Sequence, residues 1–506
     1  MKSIFSLFIY VASVFTLQAQ NAESKRPNII LLLADDMGIA DAACYGFSKD
    51  VITPNLDAMA ANGLQFNRFY AQAPVCSPTR GSYLTSRHPF RYGIFEANVG
   101  TLRPEEYTLA EALKEEGYQT AHFGKWHLGA VTEEPLDKLR MKYNPPSAHG
   151  FDTWFSTYSC VDTANPYGSD GDYRQSLSPY YENGQLVTEK LMGDDSRIIM
   201  NRALPYIEDK IGSRQPFFTV IWFHTPHKPV KAEEKYKKMY NHLDEKSQEY
   251  FGAITAMDEQ IGRLRALLKE KDADSNTLLW FSSDNGAIKT ESTGPYTAGK
   301  RHLYEGGVRV PGIVEWPNTI QKGRQTEMVS ASVDFMPTVI ELVRKKDMRS
   351  YLMDGISLAP LLEGKKQVRE KPLFFQSHGS SVVMNQEYKA LKIRTGAFSE
   401  GQAGKSKHAL DKWMLFDMQK DAVEKVDISA SFPEVVTELT SAYDVWAATC
   451  KESFFGKEYL DPNYSTEAKY RDNAGLMKKK SGKKKKKEGG KKKNKKNKSK
   501  KKNDEA

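Results

Sequence analysis

Long apolar runs alternate along the chain with segments of helical periodicity. Three runs have the length of strands that are buried on both faces, and they lie at residues 27–38, 215–229 and 276–287. Helical patterns lie between and before them, at residues 53–63, 108–120 and 250–272. Alternation of this kind predicts an α/β fold with a large, mostly parallel sheet flanked by helices.

The pattern changes after residue 363. Short strand-like pieces follow at residues 371–377, 388–396 and 412–418, and then a helical pattern at residues 432–452. These elements predict a smaller C-terminal α+β domain with an antiparallel sheet. The predicted organisation is therefore a leader at residues 1–20, a large α/β domain at 21–363, the smaller domain at 364–470 and a tail at 471–506.

Two of the apolar runs end in hard oxygen donors. The first ends at Asp35 and Asp36, and the third ends at Asp284 and Asn285. Ligands of open α/β sheets bind outside the carboxyl ends of the strands, so we expect these four side chains at one edge. One such pair is more often a turn or helix cap. Two pairs at one edge favour a calcium or magnesium site over a zinc site.

Cations and imidazoles accompany these acids. Lys125 and His127 lie in a glycine-flanked segment, His224 and His227 follow the second run, and Lys300 precedes a glycine-rich bend. Taken singly, each histidine is more simply a structural residue. Around a divalent metal, the five side chains would form a pocket for a tetrahedral oxyanion such as sulfate or phosphate. No Walker-type phosphate loop is present in the sequence, which disfavours nucleotide hydrolysis.

The four cysteines do not form a disulfide framework. Cys44, Cys76, Cys160 and Cys450 are too few and too scattered for one, although a single bridge stays open. Cys76 lies in the segment PVCSPTRGSYLTS, at residues 74–86, on a short turn bounded by prolines.

The two ends of the sequence affect how its composition and net charge are interpreted. Residues 1–20 have a lysine, a short apolar run and a small-residue end, which predicts a secretory leader rather than a membrane anchor. We therefore expect export to the periplasm or the extracellular space, and no later stretch has the character of a transmembrane span. The net charge of +9 arises from a lysine-rich tail, which we expect to be disordered. That tail is either a contact for polyanions or a solvated appendage, and it does not indicate a specific nucleic-acid partner.

Several ordered motifs resemble one enzyme family. CSPTR fits the C-x-P-x-R motif of type I sulfatases, and GYQTAHFGKWHLG closely resembles their second signature. ADDMG, PHKP, SSDNG, GKRHLYEGGVRVP and VDFMPT occur in the order of that family, and WMLFDMQKDAVEKVD resembles its C-terminal strand and turn. From residue 27 to 362 the chain thus resembles formylglycine-dependent sulfatases, which have the alkaline phosphatase-like fold.

The resemblance implies a covalent mechanism at Cys76. A dedicated maturation enzyme would oxidise this cysteine to formylglycine (3-oxoalanine), whose hydrate carries two hydroxyls. One hydroxyl would attack sulfur, and the other would expel sulfate. The resemblance also implies one Ca²⁺ ion, bound by Asp35, Asp36, Asp284, Asn285 and the converted Cys76.

Further roles follow from the same resemblance. Arg80 would orient the hydrate, Lys125 and Lys300 would bind sulfate, His127 would accept a proton, His227 would protonate the leaving oxygen, and His224 would contact substrate or support the site.

The substrate expected for an exported sulfatase is a sulfated polysaccharide or glycosaminoglycan fragment. Tyrosines in residues 164–185 could stack on sugar rings, although tyrosine is also common in surface loops. Two other functions stay open. One is a phosphomonoesterase or phosphonate hydrolase of the same superfamily, and the other is a non-catalytic polyanion-binding protein.

Overall fold

The chain is represented by a computed structural model. It describes residues 26–133, 141–288, 290–343, 352–394, 412–459, 461 and 463–466. The predicted leader at residues 1–20 and the predicted tail at 471–506 lie outside the described residues. Within the described part, none of the helices is long and apolar enough to cross a lipid bilayer.

The large domain is built on an eleven-stranded sheet. Its strands are β1 Asn28–Ala34, β2 Leu64–Tyr70, β3 Gln119–Lys125, β4 Thr153–Thr157, β5 Tyr180–Glu182, β6 Gln185–Leu186, β7 Phe217–Trp222, β8 Thr277–Ser283, β9 Arg309–Glu315, β10 Arg324–Thr326 and β11 Ser330–Ala331. Their order is β10-β2-β9-β8-β1-β7-β3-β4-β5-β6, with β11 beside β2.

The centre of the sheet is parallel, as the sequence predicts. β1 pairs in parallel with β8 on one side and with β7 on the other, and β7 pairs in parallel with β3. In this register Ala34 lies opposite Ser283, and Leu33 lies opposite Trp222. The carboxyl ends of the four central strands therefore meet at one edge of the sheet. β9 and β5 run opposite to the other strands, so β9 pairs antiparallel with β2 and β8, and β5 pairs antiparallel with β4 and β6.

Helices cover both faces of this sheet. They are α1 Pro54–Asn62, α2 Cys76–Thr85, α3 Pro89–Tyr92, α4 Leu109–Glu115, α5 Asp195–Gly212, α6 Glu234–Lys237, α7 Glu245–Glu270, α8 Glu305–Val308, α9 Phe335–Val343 and α10 Ala359–Leu362, whereas α11 Pro433–Phe454 packs on the C-terminal antiparallel sheet. Successive side chains of a strand point to opposite faces. Ile29, Leu31 and Leu33 therefore join one buried core, and Ile30 and Leu32 join the other. This double burial explains why the first run is continuously apolar.

The C-terminal part contains the predicted antiparallel sheet. Four strands pair in chain order, β12 Leu373–Ser377, β13 Ser380–Met384, β14 Tyr388–Lys392 and β15 Trp413–Asp417. β13 was not predicted from the sequence, since a two-residue turn joins it directly to β12. A buried ion pair links the two sheets, because Lys389 on β14 lies 2.9 Å from Oε1 of Glu305 on α8.

Candidate active site

Cys76 lies at the carboxyl edge of the parallel sheet, as the first residue of α2. Its side chain is buried, and its Sγ donates to Oδ1 of Asp35 at 3.3 Å. The Nζ of Lys300 lies 3.3 Å from the same sulfur. Burial, together with Asp284 and Asp35, raises the pKa of the Cys76 thiol. As a cysteine it is therefore a protonated thiol and a weak nucleophile.

Arg80 lies one helical turn after Cys76, so both side chains lie on the same face of α2. Its Nε and one terminal nitrogen donate to Oδ2 of Asp284, at 2.9 and 2.6 Å. The other terminal nitrogen donates to the carbonyl of Lys125 at 3.0 Å. Arg80 and Asp284 are both fully buried. Arg80 thus ties α2, the helix that begins at Cys76, to the ends of β8 and β3.

Two lysines form salt bridges with the acids that follow β1. The Nζ of Lys125 lies 2.5 Å from Oδ2 of Asp35, and that of Lys300 lies 2.5 Å from Oδ1 of Asp36. Burial alone would raise the pKa of Asp35, but Lys125, together with other cations, holds it well below its usual value. Burial alone would lower the pKa of both lysines, yet the neighbouring negative groups raise it. Asp35 is therefore ionised, and both lysines are charged.

The residues at this edge suit a divalent cation. Asp35, Asp36, Cys76 and His227 each offer a ligand atom, and these atoms all lie within 4.8 Å of one another. Oδ2 of Asp36 and Oδ1 of Asn285 are buried and have no hydrogen-bond partner among the described residues. Buried oxygens without donors are costly, and a cation would satisfy both.

Asp284, a further predicted ligand, lies outside that four-residue group. Its carboxylate accepts from Arg80 and, at 3.1 Å, from the backbone N–H of Asp36. Its pKa is raised to about 6 by burial and by Asp35, against the opposing effect of Arg80. Its role as a metal ligand stays a prediction.

His127 is held as a neutral imidazole. It adopts a left-handed backbone conformation, with φ of 57°, just beyond the end of β3. Its Nε2 lies 2.7 Å from Oδ1 of Asn98, and its Nδ1 has no hydrogen-bond partner among the described residues. Burial, together with the charges of Lys125 and Arg80, lowers its pKa well below the usual value. A neutral imidazole with one vacant nitrogen is suited to accept a proton.

His227 is shifted in the opposite direction. Its Nε2 lies 3.6 Å from Oδ2 of Asp36, and its Nδ1 lies 2.6 Å from the carbonyl of Lys228. Burial would lower its pKa, but Asp35 and Asp36 raise it to about 11. His227 is therefore an imidazolium that can donate a proton. Two titratable groups with pKa values pushed apart are the usual arrangement of an acid and a base.

His224 is fully buried and points into the fold. Its Nδ1 lies 2.7 Å from Oδ2 of Asp195, and its Nε2 lies 2.7 Å from Oγ1 of Thr157. Both ring nitrogens are thus occupied by internal partners. This geometry favours the supporting role over the substrate contact, and the latter stays a prediction. Asp195, Thr157 and Asn98 were not anticipated, because no motif marks them in the sequence.

The cysteines other than Cys76 form no bridges. All four cysteines are free thiols, so the single disulfide that the sequence left open is absent. Cys160 lies close to the site. Burial would raise its pKa, but hydrogen bonding to His227 and the charge of Lys125 lower it to about 6.

The predicted sugar-stacking tyrosines are for the most part core residues. Tyr167 and Tyr180 are fully buried, and Tyr181 is only 6% exposed. Tyr180 stacks on Phe155, with ring centroids 4.3 Å apart. The prediction is therefore wrong for these three tyrosines, because Tyr167 and Tyr180 pack in the core between the sheet and α5, and Tyr181 packs in the core on the other face of the sheet. Tyr173 is partly exposed.

Two family models match the chain. The model described as sulfatase matches residues 27–345. The model described as N-sulphoglucosamine sulphohydrolase, C-terminal, matches residues 296–444. The first contains every candidate site residue named above, and the second covers the antiparallel sheet and part of α11.

Curated proteins and solved structures are similar over most of the chain. N-acetylgalactosamine-6-sulfatase of Canis lupus familiaris is 32% identical over 375 residues, which cover 69% of this chain and 68% of that protein. Arylsulfatase G of Rattus norvegicus is 31% identical, with 85% and 88% covered. The crystal structure of Ps i-CgsB in complex with k-i-k-neocarrahexaose is 26% identical with a TM-score of 0.71, and it covers 83% of this chain and 92% of that one.

Proposed function

The chain belongs to the sulfatase family, and on that premise we propose that it is an exported enzyme that desulfates a carbohydrate. Hydrolysis of a sulfate ester follows from the family. The proposal adds three elements to it, namely a formylglycine derived from Cys76, one calcium ion and a sulfated polysaccharide or glycosaminoglycan fragment as substrate.

One observation carries the proposal. Groups from two distant parts of the sequence converge on Cys76, since Asp35, Asp36 and Lys300 lie within 3.8 Å of its sulfur, and Arg80 lies one turn along the same helix. Three carboxylates, of Asp35, Asp36 and Asp284, lie there with the cations of Arg80, Lys125 and Lys300 and with the imidazolium of His227, so opposite charges largely compensate one another. Such a cluster can bind a cation and a sulfate together without leaving a large uncompensated charge.

Calcium and the formylglycine would both lie among residues at the carboxyl edge of the parallel sheet. Asp35, Asp36 and Asn285 offer oxygens for calcium, with Asp284 close behind them. When bound, calcium lowers the pKa of a nearby hydroxyl and neutralises sulfate oxygens. Formylglycine supplies, as its hydrate, a nucleophilic hydroxyl and a second hydroxyl that allows sulfate to leave. Conversion of Cys76 requires a formylglycine-generating maturation enzyme as a partner.

The protein's own side chains would then bind sulfate and move protons. Lys125 and Lys300 bind sulfate oxygens, and Arg80 keeps α2 in register with the strand ends. His227, an imidazolium, protonates the sugar oxygen that leaves. His127, a neutral imidazole held by Asn98, accepts the proton that is released when sulfate departs.

The proposed substrate class is inferred from the names of related proteins. One relative is named N-acetylgalactosamine-6-sulfatase, and the solved structure that is 26% identical holds a neocarrahexaose. Both names specify carbohydrates. A sugar-directed enzyme outside the cytoplasm also fits the predicted leader at residues 1–20 and a lysine-rich tail that attracts polyanions.

The test uses the Cys76→Ala variant. We expect the wild type, co-expressed with a maturation enzyme, to release sulfate from sulfated oligosaccharides, and mass spectrometry of the peptide that contains residue 76 to show the aldehyde. Cys76→Ala should be inactive, with the circular dichroism of the wild type. Cys44→Ala, which removes a thiol outside the site, should stay active.

Two results would contradict the proposal. Sulfate release by Cys76→Ala would exclude the covalent mechanism. Faster hydrolysis of an aryl phosphate than of the matching aryl sulfate would favour the phosphatase alternative instead.

A further inference from the structure

Non-glycine residues with left-handed backbone concentrate around the site. Such conformations are uncommon and costly, and they tend to mark functional positions. Twelve are present in the described part of the chain, and half of them lie in the site or near it. These six are Asp36, Asn98, His127, Ala298, Arg301 and His378. Asp36, Asn98 and His127 already have a place in the site, whereas Arg301 and His378 have none.

Arg301 directly follows the lysine that faces Cys76. Its φ is 77°, and its backbone N–H donates to the carbonyl of Pro74 at 2.8 Å, two residues before Cys76. The main chain is thus fixed to the segment that leads into the nucleophile, while the side chain is exposed to solvent. Within the described residues, the guanidinium has no hydrogen-bond or salt-bridge partner. Its positive charge is therefore available to bind a ligand.

His378, a residue of the smaller domain, lies near Arg301. It lies with Gly379 in the two-residue turn between β12 and β13, and both residues have positive φ, 49° and 84°. Turns of this kind favour Asn-Gly, so a histidine at the first position is unusual. Burial and the charge of Arg301 lower the pKa of His378, and Glu96 raises it. Glu96 and Arg301 therefore each lie near His378, and Glu96 has further interactions in the fold.

From this arrangement we propose that Arg301, beside His378, binds a second anionic group of the substrate, a carboxylate or a further sulfate. This inference rests on the proposed function and specifies its substrate. The Cα atoms of adjacent residues are about 3.8 Å apart. In this proposal the Arg301 guanidinium contacts a substituent on the sulfated sugar or on the sugar next to it, while Lys300 holds the sulfate that is cleaved. The planar guanidinium fork matches carboxylate and sulfate oxygens.

The experiment compares two substrates with the same scissile sulfate. One is N-acetylgalactosamine 6-sulfate, and the other is the disaccharide of that sugar with glucuronic acid, which adds a carboxylate. For the wild type we expect a higher kcat/KM on the disaccharide. In Arg301→Gln the ratio of the two kcat/KM values should fall about tenfold, through a higher KM for the disaccharide, because one charge-assisted contact is lost. Arg301→Lys should keep part of the preference.

Arg214 provides a matched control. It is also an exposed arginine with a left-handed backbone, φ 56°, but it precedes β7 and so lies at the opposite edge of the sheet. Arg214→Gln should keep the wild-type ratio. An unchanged ratio in Arg301→Gln would overturn this inference and leave the proposed function intact. If the matured wild type hydrolysed neither substrate, that result would overturn this inference and would exclude N-acetylgalactosamine 6-sulfate as the substrate under the proposed function.

Discussion

Replacing Arg80 by Met tests whether its buried ion pair with Asp284 stabilises the candidate site. The side chain would lose its two bonds to Asp284, at 2.9 and 2.6 Å, and its bond to the carbonyl of Lys125. Met fills similar space, so the main effect is electrostatic. Asp284 would stay buried with the backbone N–H of Asp36 as its remaining donor in the described structure. Removing one partner of a buried pair costs about 3–5 kcal/mol in the free energy of unfolding.

The assay is urea unfolding followed by tryptophan fluorescence in calcium-free buffer. Trp126, Trp222 and Trp280 are fully buried and report on the core beside the site. The double variant Arg80→Met/Asp284→Asn should recover much of the lost stability, because it also removes the uncompensated charge.

Arg174→Met is the control, since its pair with Asp172 lies at the surface. We expect it to unfold like the wild type. A loss below about 1 kcal/mol in Arg80→Met, or no recovery in the double variant, would refute the assignment of Arg80 as the electrostatic tie.

Three further predictions concern pH, calcium and the tail. Burial lowers the pKa of His88 to about 3 and that of His149 to about 4, so both stay neutral in the fold while the unfolded chain binds protons near pH 6.5. Stability should therefore fall below pH 6.5, by about 1.4 kcal/mol per pH unit for each, and His149→Gln should remove one such contribution in urea titrations at pH 7, 6 and 5. Calcium at about a hundred times its Kd should raise the free energy of unfolding of the wild type by ~2.7 kcal/mol, which is measured as a rise in Tm. An equal calcium-induced rise in Tm in Asp36→Asn would contradict the proposed calcium site. Deleting residues 478–506 should leave hydrolysis of a small sulfate ester unchanged but weaken retention on immobilised heparin, and a large loss of activity would place the tail in the catalytic unit.

Local pattern was sufficient for the sheet and for most of the residues at its edge. β1, β7 and β8 are continuously apolar because they are buried on both faces, and each is followed at once by the polar residues of the site. Parallel pairing brings such strand ends to one edge whatever the strand order. Asp35 and Asp284 were therefore predictable as neighbours from their positions in the sequence.

Only the tertiary structure decided which partners these residues have. Cys76 and Lys300 are 224 positions apart, and only the tertiary packing brings their side chains within 3.3 Å. The same packing turned His224 toward Asp195, which favours the supporting one of its two predicted roles, and buried Tyr180, against the sugar-stacking role predicted for it. Side-chain direction in a loop depends on what packs around it, and no short-range pattern encodes those long-range contacts. The sequence alone was thus sufficient to predict which polar residues lie at the strand ends. Which donor pairs with which acceptor, and that Arg301 lies beside His378, could be determined only from the tertiary structure.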